Sequence, residues 1–371
     1  MIFLKFDRRI FHYFDWILLS FVLGICVMGV LNIYSTGFSA AGGQSPFYLK
    51  QLQWIVVGLL FMTFVFFMDY RVIVEYAYII YGFSIFLLVL VLIVGSSSHG
   101  AQRWLGGGFF AIQPSELMKV VIIITLARYF DNHKSSEPYT LKELFIPLLI
   151  VAVPFVLILK QPDLGTALML MVIFVSIVFF MGVDKKSLIF VFAAGLVLMP
   201  AGWFFLKDYQ RERLVTFLNP ERDPLGSGYH IIQSKIAIGS GEIFGKGFLS
   251  GSQTQLKFLP EQQTDFVFSV FAEEWGFIGS MLLIGLFVVV IFWGLKIALQ
   301  ARDLLGTIIA FGVSALIAWE VFINIGMVLG ILPVVGIPLP FFSYGGSAML
   351  SLMAAIGLLN NVSARRFILQ K

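Results

Sequence analysis

The chain has 371 residues, 59% of them hydrophobic and only 12% charged, with a formal net charge of +4 and a mean hydropathy of +0.94. No soluble globular domain has that balance; the composition is that of an all-α, polytopic integral membrane protein. The single Cys26 excludes an intramolecular disulfide and argues against a cysteine-held metal cluster.

Taken in order, apolar runs fall at about 15–34, 52–68, 72–95, 114–130, 144–159, 164–182, 187–206, 266–295, 307–332 and 346–362. A membrane-crossing helix needs ~20 residues, so the pattern predicts ten transmembrane helices. The basic head (Lys5, Arg8, Arg9) and the small residues at 39–42 resemble a signal peptide and its cleavage site, but the first run is long enough to span and is read as an uncleaved helix. The run at 144–159 is short and carries Pro147 and Pro154, which neighbouring helices must accommodate. No repeat, low-complexity tract or domain boundary is visible, so residues 1–371 read as one transmembrane domain.

Lys and Arg set the orientation. With a cytoplasmic start, the inner segments hold Lys5, Arg8, Arg9, Arg71, Arg128, Lys134, Lys142, Lys185, Lys186, Lys296, Arg302, Arg365, Arg366 and Lys371. The short outer loops hold only Lys50, Arg103 and Lys160. Both termini are therefore expected in the cytoplasm. The long polar segment 207–264, between helices 7 and 8, then lies outside. Its own cations (Lys207, Arg211, Arg213, Arg222, Lys235, Lys246, Lys257) break the bias and point to an anionic partner. A loop of this length is more often functional than filler.

Five stretches carry possible chemistry. In Gly100–Leu105 and Gln113–Lys119, Pro114 suits a first helical position and Glu116 its first turn. Lys119 lies three residues on, inside an apolar helix, and must face a partner or a wet cavity. The pair reads either as a structural ion pair or as a cavity lining. Trp104 reads as an interfacial aromatic or, beside Gln102 and Arg103, as a platform for a sugar. In Lys160–Thr166, Asp163 either caps the next helix or joins a site. Gly239–Gly241 and Gly245–Gly247 could present backbone N–H groups to a phosphate, or could simply be flexible. Asp265 either caps a helix or does chemistry at the water–lipid boundary, and Glu273 and Glu274 need partners within the following span. Gly330–Ser347, with three prolines, reads as a stiff structural loop behind Glu320 and Asn324.

Together these stretches resemble the SEDS family (shape, elongation, division and sporulation proteins), over nearly the whole chain. Residues 228–235 and 251–258 look like its elongation-type branch. The resemblance implies ten spans and a peptidoglycan glycosyltransferase polymerising lipid II on the outer face of the bacterial cytoplasmic (inner) membrane during elongation and cell-shape maintenance. It also implies a class B penicillin-binding protein and other elongation-complex membrane proteins as partners, and no nucleic acid. The family's catalytic aspartate maps to Asp265 and its cavity residues to Trp104, Glu116, Lys119 and Asp163. Gln102, Arg103, Arg211 and Lys235 join them as expected substrate-binding residues.

The expected chemistry is a single inversion, which needs one general base on the acceptor hydroxyl. The departing diphosphate needs cations: Arg, Lys or a divalent ion, Mg or Mn. No organic cofactor is called for, and no metal ligands are assigned. Two other classes stay open: a lipid II flippase using Glu116, Lys119 and Glu320, and a non-catalytic scaffold for a transpeptidase.

Overall fold

The computed structural model describes residues 13–39, 43–44, 46–98, 101–107, 111–135, 137–189, 193, 208–220, 228–256, 258–259 and 261–366. The helices are α1 Trp16–Gly37, α2 Phe47–Phe67, α3 Tyr70–Glu75, α4 Ala77–Val94, α5 Pro114–Asn132, α6 Phe145–Lys160, α7 Leu164–Met181, α8 Asp208–Leu218, α9 Tyr229–Ser240, α10 Ser252–Gln255, α11 Val267–Gln300, α12 Leu304–Val328 and α13 Gly346–Arg365. Two antiparallel strand pairs accompany them: β1 Phe38–Ser39 with β2 Gly43–Gln44, and β3 Ser96–Ser98 with β4 Ala101–Trp104.

Seven of these helices (α1, α2, α4, α7, α11, α12, α13) are long and apolar enough to cross a membrane. Helix α6 is apolar but has only 16 residues. Helix α5 is long enough at 19 residues but carries Glu116, Lys119, Arg128 and Asp131. The predicted seventh run, 187–206, lies outside the described residues except for 187–189 and 193, as do the basic head, Gly100, Lys207, Arg222, Lys257 and the segment 221–227. The run expected at 72–95 is two helices, α3 and α4, divided at Tyr76.

Burial sorts the helices. In α4 only 22% of the apolar window is buried, whereas in α13 it is 89%. Nearly all of α5 is buried as well. The core is therefore α5, α12 and α13, with α2 packed along α13, α11 along α12 and α1, and α7 against α5 and α12. Polar side chains fasten the end of the bundle that holds the helix 11–12 turn. Asn361 donates to the Val65 and Phe66 carbonyls that end α2 (3.1 and 2.9 Å). Asp303 caps α12 through Gly306 N and also receives Tyr70 Oη and Arg71. Those bonds keep buried helix ends from being left unsatisfied.

At the opposite end, the segment expected as a long loop is largely helical where described. Helix α9 is docked by the buried Ser234, whose Oγ donates to Val328 O (2.6 Å) and meets Ser269 Oγ (2.8 Å). The glycine-rich pieces do not offer a phosphate cradle. Gly241 N, Gly245 N, Lys246 N and Gly247 N donate to Ile238 O, Gly241 O, Glu273 O and Glu274 O, so those donors are already used.

Candidate active site

The site is built from loops at the β3–β4 end of the bundle. Gln102 Nε2 donates to Gly95 O (2.6 Å), bracing the hairpin on the end of α4. Trp104 pairs with Ser96 across the hairpin and is partly exposed. Between them, Arg103 reaches over to the turn before α7. Its Nε donates to Gln161 O (3.4 Å), its Nη2 donates to Pro162 O, and Nη1 lies 3.7 Å from Asp163 Oδ1.

Asp163 does cap α7, accepting from Thr166 N (3.4 Å) and Thr166 Oγ1 (2.9 Å). It also accepts from Gln113 Nε2 (3.1 Å). The capping and site readings are thus both met by one residue. Gln113, the residue before α5, also donates its backbone N–H to Ser347 Oγ (2.9 Å), tying α5 to α13.

Asp265 is held by its backbone. Asn324 Nδ2 donates to Asp265 O (3.0 Å) and to Ile337 O (2.7 Å). Ser343 Oγ donates to Thr264 O (2.7 Å), and Tyr344 N to Gln263 O (2.9 Å). The stiff 333–347 loop, structural by its sequence, is therefore the frame that positions Asp265. Gly336 adopts φ +75°, and a Cβ there would come 3.3 Å from Asp265 Oδ2. A side chain at that position would be both strained and crowded against the carboxylate.

The Asp265 carboxylate itself has no hydrogen-bond partner among the described residues, and it is partly exposed. Its pKa is pushed up to about 6, first by desolvation and next by Glu261; Arg213 and Arg103 pull it down and Asp163 pushes it up. Two acids and two arginines thus act electrostatically on one partly exposed acid. Arg213, on α8, donates to Val334 O (3.1 Å), a main-chain carbonyl that positions the guanidinium without neutralising it. Arg103 is held by main-chain carbonyls and also pairs with Asp163.

The second cluster lies inside the bundle. Lys119 Nζ is 2.8 Å from Glu116 Oε2 and 2.5 Å from Glu320 Oε1. The three residues are only 4%, 2% and 1% exposed for Glu116, Lys119 and Glu320. They form a closed ion triad between α5 and α12. The sequence reading paired Lys119 with Glu116; the second carboxylate, Glu320, comes from a helix 201 residues away.

The remaining expected residues are placed as follows. Lys235 is exposed on α9, its chain lying over Gly330. Arg211 is partly exposed on α8, two positions from Arg213. Residues two apart on a helix do not share a face, so the pair cannot be read as equivalent. In the sequence Arg213 stands only among the cations of the 207–264 segment, and its bond to Val334 O appears only in the fold. Among the described residues no group of three or more His, Cys, Asp or Glu stands ready to hold a metal ion.

Residues 15–367 match the FTSW_RODA_SPOVE family, described as cell cycle protein. The chain is 41% identical over 358 residues to peptidoglycan glycosyltransferase MrdB of Escherichia coli (strain K12), covering 96% of this chain and 95% of that one. It is 36% identical over 426 residues to peptidoglycan glycosyltransferase RodA of Treponema pallidum (strain Nichols), covering 95% and 98%. Among solved structures it superposes with a TM-score of 0.81, at 33% identity and covering 95% and 98%, on a chain from a study of the structural coordination of polymerization and crosslinking by a peptidoglycan synthase complex.

Proposed function

The chain belongs to the FTSW_RODA_SPOVE family of cell cycle proteins, and from that premise we propose that it is a membrane-embedded peptidoglycan glycosyltransferase of cell elongation whose chemistry takes place at Asp265. The activity follows its MrdB and RodA relatives. The observation that carries the site is the Asp265 carboxylate, free of hydrogen bonds among the described residues and within the electrostatic influence of Arg103 and Arg213.

The acceptor is the 4-hydroxyl of lipid II's N-acetylglucosamine, and the donor is the growing glycan on a polyprenyl diphosphate. Asp265 takes the hydroxyl proton as the oxygen attacks the donor's anomeric carbon. The bond from that carbon to the diphosphate oxygen breaks on the opposite face, so the α-linked donor becomes a β-linked product. The departing diphosphate keeps the electron pair, and Arg103 and Arg213 stabilise its charge. Asp265 then passes its proton to water. A carboxylate with pKa about 6 is largely ionised at neutral pH, yet more basic than an ordinary aspartate. Mg or Mn chelated by the diphosphate would add to the positive charge, but the described residues offer it no ready-made ligand set. Gln102 and Trp104 flank Arg103 on the hairpin and would contact the sugar.

The orientation rests on the cation bias, which places the site outside and both termini in the cytoplasm. An impermeant thiol reagent added outside should label Ser250→Cys and spare Ser135→Cys; labelling of Ser135→Cys would overturn the topology. A class B penicillin-binding protein, within an elongation complex, is the partner that would crosslink the product, in keeping with the synthase complex to which the fold is similar. A lipid flippase would need an open polar path, whereas Glu116, Lys119 and Glu320 are sealed against one another.

The decisive substitution is Asp265→Asn, assayed with purified protein and lipid II. The amide keeps the size and leaves the backbone bond from Asn324 in place but cannot take a proton. Polymerisation should fall by ~10²–10⁴-fold, the usual loss on removing a general base, with the melting temperature kept. Near-normal glycan synthesis would remove Asp265 from the mechanism.

A further inference from the structure

Helix α11 is two helices joined across a break at Gly276. Residues 277–300 run ~36 Å at the helical rise of ~1.5 Å, enough to cross a hydrocarbon core ~30 Å thick, and two features mark where the helix meets the lipid surface. Trp275 and Trp293 lie 18 positions apart on it, ~27 Å, the spacing of two interfacial aromatic belts. Helix α1 gives the same thickness independently. Asp15, at its start, accepts from Trp293 Nε1 (2.7 Å). Ser35, 20 positions later and ~30 Å along, donates to Glu274 Oε1. The lipid boundary therefore lies at Glu274–Trp275. The short arm 267–274 turns at the Gly276 break and lies beside α1, where Asn32 Nδ2, one turn inward of Ser35, donates to Val267 O (2.9 Å).

The short arm is clamped by the segment that precedes it. Glu273 is fully buried and accepts from Lys246 Nζ (2.7 Å), Ser252 Oγ (3.1 Å), Gln253 N (3.0 Å) and Thr254 Oγ1 (3.3 Å). At the boundary itself α11 is broken by Gly276, with φ +65° and ψ −162°. The donors freed below the break are taken by the same segment: Phe277 N donates to Glu242 O (2.9 Å) and Ile278 N to Ile243 O (3.1 Å). The carbonyls above it receive Lys246 N and Gly247 N (both 3.0 Å). A Cβ on Gly276 would meet Gly245 N at 2.3 Å, so the two chains can approach this closely only without one.

This stitching holds Ile243 and Phe244 beside the first lipid-level turn of α11. They are 58% and 80% exposed, next to Phe277 and Ile278 at 61% and 52%. Beside them is a cavity of about 360 Å³ lined by Ser240–Lys246. The charged Glu242 and Lys246 bracket the apolar pair. We infer that the Ile243–Phe244 tip is a lipid anchor, inserted at the boundary of headgroups and acyl chains, that holds the Gly276 break at the membrane surface. The occupant is lipid because the tip is continuous with the outward surface of α11, where Met281 and Leu282 are also exposed, and because it sits at the level of the Trp275 belt.

The test is a fluorophore on Phe244→Cys in the full chain, in a Cys26→Ser background, reconstituted alone in phosphatidylcholine nanodiscs. Quenching by a lipid carrying a nitroxide high on its acyl chain should match that of a label on Leu282→Cys. Quenching by aqueous iodide should stay several-fold below that of a label on Ser250→Cys. Iodide quenching equal to that at Ser250→Cys, or shielding from both quenchers as when protein covers the tip, would overturn the proposal.

Discussion

Two acid–cation clusters occupy this molecule and differ in how their charges are answered. In the bundle, Lys119 is clasped by Glu116 and Glu320, and all three side chains are sealed from solvent. At the rim, the Asp265 carboxylate has no hydrogen-bond partner among the described residues, and its arginine neighbours are tied to carbonyls. The triad's charges are engaged with one another. Arg213, held by a neutral oxygen, keeps its full charge, Arg103 lies 3.7 Å from Asp163 and shares its charge with it, and an acid pinned through its backbone keeps its carboxylate free of hydrogen bonds. Preorganisation of that kind is what a site needs to meet charge that develops only during reaction.

The comparison breaks if the triad turns out to be catalytic. Removing one partner of a buried pair strands the other and costs ~3–5 kcal/mol. Lys119→Ala should therefore lower the melting temperature sharply. Replacing all three together (Glu116→Leu, Lys119→Met, Glu320→Leu) should cost far less, since a buried ionic cluster often gives way to apolar residues of similar volume. If the triple variant is folded and polymerises lipid II, the cluster only joins α5 to α12. If it melts like wild type but makes no glycan, the triad belongs to the chemistry.

Much of this was legible in the sequence, for reasons that differ by region. Helix α5 was marked by Pro114 and by the acid in its first turn, and α7 by Asp163, because capping is decided within four residues. The partners of buried charges were not, since Glu320 meets Lys119 only once two helices pack. The break at Gly276 was hidden for a related reason. Its freed backbone groups are satisfied by Glu242 and Ile243, and no local pattern records that. Asp265 stood out in the sequence as a junction acid, but its surroundings did not, because Arg103 and Arg213 reach it from separate loops. Glycines 241–247 carried a local signal for anion binding that tertiary contacts overrode.

The smallest effect offers the sharpest test of the rim. Burial pushes the Asp265 pKa up to about 6, and Glu261 is the next cause; Arg213 acts in the opposite direction. A general base must be ionised, so single-turnover rates should fall as pH drops through about 6. Glu261→Gln removes an upward influence and should carry that midpoint to lower pH. Arg213→Gln removes a downward one and should carry it to higher pH, with a slower rate at every pH because diphosphate charge is lost. Stability should move the other way. The native carboxyl holds its proton more tightly than an unfolded aspartate of pKa 3.8. Between about pH 4 and 6 the native state therefore binds more protons than the unfolded one, and stability declines as pH rises through that window. Asp265→Asn removes this decline, so its melting temperature should gain on wild type between pH 4 and pH 8. Opposite displacements of the rate midpoint in the two variants would tie the titration to Asp265. An unmoved midpoint in both would assign the acid limb to another group and leave Asp265 without the role of base.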